Sequence, residues 1–486
     1  MKTKSYFFQS FFALVLATAS FFLFKTFLRA KLFPETKTAT KNVVVDSLLL
    51  DAINEEKTTR VDTFDIQIKN NTILTTTTDS LQAASVFIDD EHYTGINYLT
   101  NFFSSLFQLE TNKQGSVRIA YFSDSMTDGD MIVQDIRTLF QEKFGGNGVG
   151  FVNITSESAA SRSSVWHTFS TNWTTQSYLK TKKPKQSFGI NGHVFFANDT
   201  IPNSWVKYTA SKMRYVTELP KPTLFYGKPT SKNTKIYSVV GNDTLNYNLL
   251  GNQQLNTLQL TNNNLKSLKV YFDTHNTPIY GFNFDDGKGV HIDNFSSRGN
   301  SGLPLSMFNA GLMQAFQKEL DYKLIVLHYG TNILNYGSYN YSWYEKRMKK
   351  VISHLRMCFP NAEFLIISTA DKATKYGLEM KTDSAVVPLL KAQRKYAMLS
   401  QSGFVNLYDK MGGEGSMVKW VEADTAKANK DYTHFNYRGS KMIGKLIFDQ
   451  LDEAYKTYKK NNNSLSKIKA LNTKNASQKK DTIYED

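Results

Sequence analysis

Compact apolar runs alternate with helically spaced apolar residues along most of the chain. After the first run, apolar positions recur at helical spacing from Ile132 to Phe144, and Gly145 and Gly146 end the pattern. Continuous apolar runs are typical of parallel strands buried on both faces. The pattern therefore predicts an α/β domain with a parallel sheet. The predicted strands are Val117 to Phe122, Tyr322 to Leu327, Ala362 to Ser368 and Gly403 to Tyr408.

A region of different character interrupts this alternation between about residues 151 and 290. It consists of short aromatic and β-branched runs, such as GHVFFAND and TKIYSVVGNDTLNYNLL, separated by Asn, Gly, Asp and Pro. Short strands with turn residues at close spacing are typical of all-β sandwiches. We therefore predict a β-sandwich inserted into the α/β domain.

The N-terminal segment is strongly apolar. Ser5 to Phe24 carries no charge over about 20 residues and has basic residues on both sides, and a helix of that length matches the thickness of a bilayer core. Ala17-Thr18-Ala19 also fits the cleavage site of a secretory signal peptide. The apolar run continues past that site, which favours an uncleaved anchor. Either interpretation predicts export of the rest of the chain.

Two other segments are polar. Residues 32–88 are rich in Thr, Lys, Asp and Asn and contain only short apolar patches such as Val43 to Leu50. This composition predicts a linker with little fixed structure. Residues 459–486, with Asn461 to Asn463 and scattered lysines, are likewise predicted to be a solvated polar tail.

Composition and charge narrow the classes of function. The chain has 486 residues, which is long enough for two or three domains. Its formal net charge of +15 indicates an anionic binding partner, such as a membrane surface or an acidic polysaccharide. Nucleic-acid binding has no motif behind it, because the basic residues are spread along the chain. The single cysteine, Cys358, excludes a disulfide within the chain and is expected to be a small buried residue.

Two short motifs follow predicted strands, where open α/β sheets place their sites. Ser125, in Ser123-Asp124-Ser125-Met126, follows the first strand, so its hydroxyl can be exposed beside amides that stabilise an oxyanion. Asn332, in Gly330-Thr331-Asn332, offers a side-chain amide donor to such an oxyanion. In isolation, each residue is also consistent with a helix cap or a turn.

A third motif, Asp431-Tyr432-Thr433-His434, precedes the last helical pattern. The spacing of three lets the carboxylate approach the imidazole in a tight loop. The aspartate can then orient the ring while the other ring nitrogen takes a proton from a serine. The spacing alone is a weak indication, and the position and order of the three motifs strengthen it.

The order Ser125, Gly299 in SSRGNSG, Asn332 in GTN, and Asp431 with His434 resembles the four blocks of the SGNH (GDSL-like) hydrolase superfamily. The resemblance covers about residues 90 to 457. The segments YFSDSMTDGDMIVQDIRTLFQEKFGGNGVGF and LYDKMGGEGSMVKWVEADTAKANKDYTHFNYRG are similar to the bacterial branch that includes peptidoglycan O-acetylesterases. In that branch a β-rich module resembling carbohydrate-binding domains is inserted between the serine and glycine blocks. The resemblance implies a three-layer, flavodoxin-like α/β hydrolase domain with a parallel sheet, interrupted by an all-β sandwich.

The resemblance also implies the roles of the site residues. Ser125 would be the nucleophile, His434 the general base and then the general acid, and Asp431 the partner that orients His434. The oxyanion hole would comprise the backbone N–H groups of Ser125 and Gly299 and the side chain of Asn332. No cofactor is implied, and the histidines show neither H-x-x-x-H nor H-E-x-x-H, so no catalytic metal is expected.

Two positions complicate the match to the family. Ser123 stands where the family usually has glycine, and a positive φ would be strained for a residue with a Cβ atom. We expect the first strand to extend by one residue, which removes the need for a positive φ. Gly302 lies three residues from Gly299 and is an alternative for the oxyanion glycine.

Other polar and aromatic residues have simpler structural interpretations. His328 is close to the GTN turn but is expected to be a packed strand residue. Trp166, Trp173 and Trp205 could stack on sugar rings, although large aromatics are more often core residues. Asp371 could line the cleft, and a helix cap is the default interpretation.

The implied activity is that of a serine esterase that removes O-acetyl groups from a cell-envelope glycan such as peptidoglycan. The protein would be anchored in the inner membrane with its catalytic domain in the periplasm, or secreted if the N-terminal segment is cleaved. A glycan O-acetyltransferase with the same triad and a noncatalytic glycan-binding protein with a decayed site remain alternatives. The sequence does not indicate an oligomeric state.

The implied order along the chain is the anchor or signal (1–31), the linker (32–88), the first hydrolase segment (89–150), the sandwich (151–290), the second hydrolase segment (291–458) and the tail (459–486).

Overall fold

The computed structural model describes residues 11–20, 46–55, 91–198, 204–241, 243–274, 276–334 and 339–481, with side chains as far as residue 462. Residues 1–44 form one unit, in which residues 11–20 are helical (α1), and residues 45–486 form a second unit. The rest of the predicted segment from Ser5 to Phe24 lies outside the described residues. No helix in the described part of the chain is both long enough and apolar enough to cross a bilayer.

The second unit contains ten described α-helices and twenty strands. The helices are residues 47–55 (α2), Thr100–Asn112 (α3), Val133–Phe144 (α4), Ala310–Leu320 (α5), Thr331–Leu334 (α6), Ser342–Cys358 (α7), Val386–Leu399 (α8), Leu407–Met411 (α9), Ser416–Glu422 (α10) and Tyr437–Asp481 (α11). The strands are Ser116–Ser123 (β1), Gly150–Val152 (β2), Val165–Phe169 (β3), Trp173–Ser177 (β4), His193–Ala197 (β5), Ser204–Ala210 (β6), Leu219–Pro220 (β7), Thr223–Tyr226 (β8), Lys235–Val240 (β9), Asp243–Asn248 (β10), Asn256–Gln259 (β11), Asn264–Leu265 (β12), Ser267–Asp273 (β13), Ile279–Phe284 (β14), Gly289–Ser296 (β15), Tyr322–His328 (β16), Glu363–Ile367 (β17), Ala373–Tyr376 (β18), Glu379–Thr382 (β19) and Gly403–Val405 (β20).

Five strands form a parallel sheet in the order β15-β1-β16-β17-β20. Every residue of β1 after Ser116 is buried, which accounts for its unbroken apolar sequence. Four of the five strands coincide with the predicted apolar runs. The pattern did not predict β15, because its buried residues include the polar His291 and Asp293. Its first residues, Gly289 and Val290, therefore belong to the parallel sheet and not to the insertion.

Helices cover both faces of this sheet. On one face Phe122 and Leu327 belong to a core that includes residues of α5, α7 and α8. On the other face Tyr121 and Val326 belong to a core that includes residues of α3, α4 and α11. Successive residues of a strand point to opposite faces, so β1 contributes to both cores. This three-layer arrangement confirms the predicted fold class.

The interrupting region is a β-sandwich. One antiparallel sheet has the order β10-β9-β13-β6-β3 and the other has the order β11-β8-β14-β5-β4, with β2 also paired to β14. Val206 and Val270 from the first sheet share a third core with Leu224 and Phe282 from the second. The predicted all-β insertion is therefore confirmed.

A buried polar network joins the sandwich to the parallel sheet. Arg118 on β1 donates to both carboxylate oxygens of Asp293 on β15, at 2.9 and 2.7 Å, and also contacts Asp285, which follows β14. Asp293 accepts the N–H of Phe151 on β2 at 2.9 Å and the hydroxyl of Tyr322 on β16 at 2.5 Å. Burial alone would lower the pKa of Arg118, but the two carboxylates raise it above its ordinary value. The network connects three strands of the parallel sheet with two elements of the sandwich.

Helix α2 corrects the prediction for the N-terminal linker. Leu49 and Ala52 are buried in the same core as α5, α7 and α8. Asp51 pairs with Lys182 at 2.6 Å. The interpretation of residues 32–88 as a linker with little fixed structure is therefore wrong for residues 46–55. The remainder of that range lies outside the described residues.

Two further boundaries differ from the predictions. The strand predicted from Gly403 to Tyr408 ends at Val405, because the side chain of Asn406 accepts the N–H of Asp409 at 3.2 Å and caps α9. Residues 459–486, predicted to be a solvated tail, continue α11 as far as Asp481. Lys459 in this helix pairs with Glu110 at 2.7 Å.

Candidate active site

The sheet topology brings the predicted site loops together at one edge. Ser125 follows β1, Gly299 follows β15, and Asn332 lies in α6 after β16. All three strands are parallel, so their carboxyl ends meet at the same edge. Because β1 lies between β15 and β16, the loop with Ser125 lies between the two loops that carry the other predicted oxyanion donors.

Ser125, His434 and Asp431 form a hydrogen-bonded series. Ser125 Oγ lies 2.9 Å from His434 Nε2, and His434 Nδ1 lies 2.8 Å from Asp431 Oδ2. Asp431 Oδ1 accepts the N–H groups of Thr433 and His434, both at 3.0 Å. Burial alone would raise the pKa of Asp431, but the hydrogen bonds from His434 and Thr433 lower it. The arrangement can accept a proton from Ser125 and stabilise the resulting imidazolium.

The chain segment from 431 to 434 is a tight turn. Tyr432 has a φ of 53°, which reverses the chain so that Asp431 and His434 face one another. The hydroxyl of Thr433 donates to the carbonyl of Asp431 at 3.1 Å, and the N–H of Asn429 donates to the carbonyl of His434 at 2.8 Å. These local contacts explain how the predicted spacing of three brings the two side chains into contact.

Two residues of β15 fix the loop that follows Ser125. The side-chain amide of Asn294 donates to the carbonyl of Thr127 at 2.8 Å, and the hydroxyl of Ser296 contacts the same carbonyl at 3.2 Å. Neither Asn294 nor Ser296 was predicted from the sequence. The only signal for them was the polar alternation GVHIDNFS at the end of the predicted insertion.

The same loop contains a buried ion pair and unusual backbone angles. Asp130 accepts from Arg137 on α4 at 2.7 and 3.1 Å, and Arg162 of the insertion lies 3.5 Å away. Burial alone would raise the pKa of Asp130, but the two guanidinium groups lower it. Asp130 and Ile132 have φ values of 68° and 66°. Positive φ at such residues persists only when the surroundings hold it; here the ion pair fixes the side chain of Asp130, and the side chain of Ile132 is fully buried in the core.

The two candidate oxyanion glycines have different surroundings. The N–H of Gly302 donates to Asn300 Oδ1 at 2.9 Å, and a Cβ atom at Gly302 would lie 2.9 Å from the Tyr329 ring. Gly299 has a φ of 79°, and its N–H has no acceptor in the part of the chain that the structure describes. Gly302 therefore has a packing role, and Gly299 is the glycine with a free donor.

The other two predicted oxyanion donors also have free N–H groups. Among the described residues, the backbone N–H of Ser125 has no acceptor. The side-chain amide of Asn332 donates to the carbonyl of Asn300 at 3.0 Å, which leaves its second N–H available. The buried Asn332 is thus held in one orientation while it keeps one donor for a ligand.

Ser123 extends β1, as expected from the sequence. It pairs with Ser296 on one side and with His328 on the other, it does not have a positive φ, and it is fully buried. Its hydroxyl donates to the carbonyl of His328 at 2.8 Å. Glycine is therefore not required at this position.

We expect Ser123→Gly to destabilise the protein without improving activity. The change removes one buried hydrogen bond and adds chain entropy in the unfolded state, so it should lower the free energy of unfolding by about 1–2 kcal/mol. Urea unfolding would measure this, and ester hydrolysis should stay within about twofold of wild type because Ser125 is not displaced. A large gain in activity would indicate that Ser123 weakens the site.

Asp124 is a fully buried carboxyl group directly before Ser125. Its Oδ1 accepts the N–H of Met126 at 3.0 Å. Burial raises the pKa of Asp124 to about 6, although the amides of Met126, Gly330 and Thr331 and the neighbouring His434 act to lower it. The other oxygen of Asp124, Oδ2, is buried and has no hydrogen-bond partner among the described residues.

Asp124 should make stability depend on pH. The folded group holds its proton up to about pH 6, whereas an unfolded aspartate releases it near about pH 3.9. Between these values the folded state binds more protons, so stability falls as pH rises. Relative to Asp124→Asn, the free energy of unfolding of wild type should fall by about 2 kcal/mol from about pH 4 to about pH 7. Urea unfolding at both pH values tests this, and a constant difference would contradict it.

The other residues singled out in the sequence have contacts or burial that indicate structural roles. His328 is buried on β16 with Nδ1 2.9 Å from the Tyr121 hydroxyl, and burial lowers the pKa of His328 to about 3. Asp371 accepts the N–H of Met417 at 2.8 Å at the start of α10, which is a capping contact. Cys358 is buried, and burial raises the pKa of its thiol to about 12.

The three tryptophans of the insertion differ in exposure. Trp166 on β3 is 66% exposed. Trp173 donates its ring N–H to the carbonyl of Trp205 at 3.2 Å, and the ammonium of Lys269 lies 4.5 Å from the Trp205 ring. Only Trp166 of the three presents most of its surface to solvent. Within the described residues, no group of three or more His, Cys, Asp or Glu side chains is arranged to hold a metal ion.

Comparison with known proteins identifies the fold. No protein-family model and no curated protein sequence matches this chain. A solved structure described as a peptidoglycan O-acetylesterase in action is 21% identical, with a TM-score of 0.60, and the match covers 74% of this chain and 96% of that chain. A family two carbohydrate esterase from Cellvibrio japonicus is 9% identical, with a TM-score of 0.24, over 58% of this chain and 98% of that chain. The first of these similarities confirms the predicted fold, a three-layer α/β domain with a parallel sheet and a β-rich insertion.

Proposed function

We propose that this chain is a serine esterase that removes O-acetyl groups from a cell-envelope glycan such as peptidoglycan. The observation that carries the proposal is the series Asp431–His434–Ser125, with distances of 2.8 and 2.9 Å, next to backbone N–H groups that have no acceptor among the described residues. A nucleophile, a base, an orienting carboxylate and free oxyanion donors are the parts that acyl transfer requires. No metal or cofactor enters the proposed steps.

The reaction would proceed through an acyl-enzyme. His434 Nε2 takes the proton of Ser125 as Oγ attacks the ester carbonyl carbon, and the N–H groups of Ser125 and Gly299 with the Asn332 amide stabilise the oxyanion. The bond to the sugar oxygen then breaks, and this oxygen leaves with the proton from His434. A water molecule, deprotonated by His434, attacks the acyl-enzyme, releases acetate and restores Ser125.

Exposure of the site favours hydrolysis over transfer to a sugar. An acetyltransferase that uses the same triad must keep water away from its acyl-enzyme. The side chains of His434 and Asp431 are 36% and 39% exposed. Water can therefore reach the base that would activate it.

The glycan substrate and the location are also proposals. The structure with the TM-score of 0.60 is described as a peptidoglycan O-acetylesterase, and the net charge of +15 suits an anionic envelope polymer. We propose that the apolar N-terminal segment anchors the protein in the inner membrane and that the hydrolase domain lies in the periplasm. An export signal that is cleaved would give a secreted enzyme with the same activity.

Acetate release from O-acetylated peptidoglycan tests the substrate. The matched control is the same peptidoglycan after mild base has removed its ester groups. We expect free acetate from the first and none from the second. Acetate transfer to added muropeptides without free acetate would favour the transferase. If the protein binds the glycan but cleaves neither O-acetylated peptidoglycan nor p-nitrophenyl acetate, a noncatalytic glycan-binding protein is favoured.

A further inference from the structure

Asp46, just before α2, contacts the loop that carries Gly299. The N–H of Asp46 donates to the carbonyl of Gly299 at 3.2 Å, and Asp46 Oδ2 accepts the N–H of Ser301 at 2.7 Å. These two hydrogen bonds lie on either side of Asn300. Asp46, Asn300 and Ser301 are all fully buried. A residue from the predicted linker therefore holds both ends of a short segment at the site.

The segment between these two bonds also positions Asn332. The carbonyl of Asn300 accepts the side-chain amide of Asn332 at 3.0 Å. Gly299 and Asn332 are two of the three proposed oxyanion donors, so displacement of residues 299–301 would move both. Asp46 makes no contact with Ser125 or His434 in the described structure, so it can act only through this segment.

A helix cap alone does not account for Asp46. Its Oδ1 accepts the N–H of Leu49 at 2.7 Å, which is the usual contact of a capping residue. Capping needs one acceptor oxygen, and Ser, Thr or Asn would provide it. Here the second oxygen of a fully buried carboxylate is directed to Ser301, outside the helix. Burying a charged group is unfavourable unless it is hydrogen-bonded, so the second bond indicates a separate purpose.

We propose that Asp46 is a positioning residue for the oxyanion hole: it fixes the segment 299–301, and through it the Gly299 N–H and the Asn332 amide. The proposal rests on the serine esterase activity proposed above. It implies that the part of the chain before the hydrolase blocks is needed for full catalytic rate as well as for attachment. The hydrogen bonds of Asp46 act on the transition state through Gly299 and Asn332, so their loss should lower kcat more than it changes KM.

Asp46→Asn separates positioning from capping. Asparagine keeps the size of the side chain and one oxygen to accept the Leu49 N–H, but it presents an NH₂ group to the N–H of Ser301. We expect kcat for p-nitrophenyl acetate to fall about 10- to 100-fold, with KM within about twofold of wild type. Backbone hydrogen exchange of residues 299–302, followed by mass spectrometry, should become faster while the rest of the sheet is unchanged.

Asp51→Asn is the matched control. Asp51 lies on the same helix and pairs with Lys182 at 2.6 Å on the surface, away from residues 299–301. We expect this variant to keep wild-type kcat and KM. If Asp46→Asn does not fold, Asp46→Ser retains a capping oxygen with a shorter side chain that does not reach Ser301, and the same fall in kcat is expected.

Three results would overturn the proposal. They are a kcat for Asp46→Asn within about twofold of wild type, an equal loss in Asp51→Asn, or a change in KM alone. Ser125→Ala, measured beside these variants, distinguishes this failure from that of the proposed function. If wild type is active and Ser125→Ala is not, the proposed esterase activity is supported regardless of the result for the Asp46 variants. If wild type has no ester hydrolysis, the esterase proposal and the role of Asp46 both fail.

Discussion

Ser125→Ala is expected to reduce kcat for p-nitrophenyl acetate by about 10⁴- to 10⁶-fold. Ser125 Oγ is the hydroxyl held 2.9 Å from His434 Nε2, and alanine leaves the imidazole without a proton to take. Residual hydrolysis from the oxyanion donors and from water should persist at a low level. The free energy of unfolding should change by less than about 1 kcal/mol, because Ser125 is only partly buried and, among the described residues, its hydroxyl is hydrogen-bonded only to His434.

Steady-state kinetics and urea unfolding of the same preparations measure both effects. Ser105→Ala is the control for loss of a serine hydroxyl, because Ser105 lies on the exposed side of α3 and donates only to the carbonyl of Asn101 at 2.9 Å. This control should keep full activity. Activity of Ser125→Ala within about tenfold of wild type would show that another group performs the attack.

The contacts among Ser125, His434 and Asp431, the proposed triad, could be predicted from sequence because their signals are local. Asp431 and His434 lie three residues apart in one turn, and Ser125 follows an apolar run that could only be a buried strand. The order of the blocks then placed Asn332 after a second strand. The prediction that the first strand extends to Ser123 is also confirmed, and the backbone of Ser123 is accordingly extended.

The residues that support the triad could not be predicted in this way. Asp46 contacts Ser301 across 255 positions of sequence, and no periodicity records a contact of that range. The nine residues of α2 are too few for a helical pattern to stand out from the polar segment around them. The linker was predicted from the polar composition of this segment. Helix α2 is ordered because Leu49 and Ala52 pack into the core formed by other parts of the chain.

Strand β15 shows a second limit of the apolar pattern. Its residues 289–296 are nearly all buried, but Asp293 is buried by hydrogen bonding and not by apolar packing. Hydrophobic periodicity cannot distinguish such a strand from a polar loop. Yet β15 carries Asn294 and Ser296, which contact the carbonyl of Thr127 in the loop after Ser125, and it ends shortly before Gly299. A strand that apolar periodicity does not reveal thus contributes two contacts to the loop that follows Ser125.

This arrangement predicts that Asp293→Ala is strongly destabilising. The change removes the acceptor for Arg118, for the Phe151 N–H and for the Tyr322 hydroxyl at once, and it leaves the guanidinium of Arg118 buried with only some of its partners. Removing one partner of a buried ion pair lowers stability by about 3–5 kcal/mol. Urea or thermal unfolding would measure the loss. Asp449→Ala, which removes an exposed carboxylate that pairs with Lys445 on α11, should change stability by less than about 1 kcal/mol.

A double variant tests whether charge or geometry is responsible. Arg118→Met combined with Asp293→Leu replaces this pair by apolar groups of similar size, and such replacements are often close to neutral, but here the carboxylate of Asp285 loses its contact with Arg118. We therefore expect the double variant to recover only part of the stability lost in Asp293→Ala, because Asp285 loses its guanidinium partner and the Phe151 N–H still lacks its acceptor. Because Asp293 connects the sandwich to the strands that lead to Ser125 and Gly299, ester hydrolysis in Asp293→Ala should be lost at the same denaturant concentration as the fold. Loss of activity well before unfolding would mean that the insertion can separate from the sheet on its own.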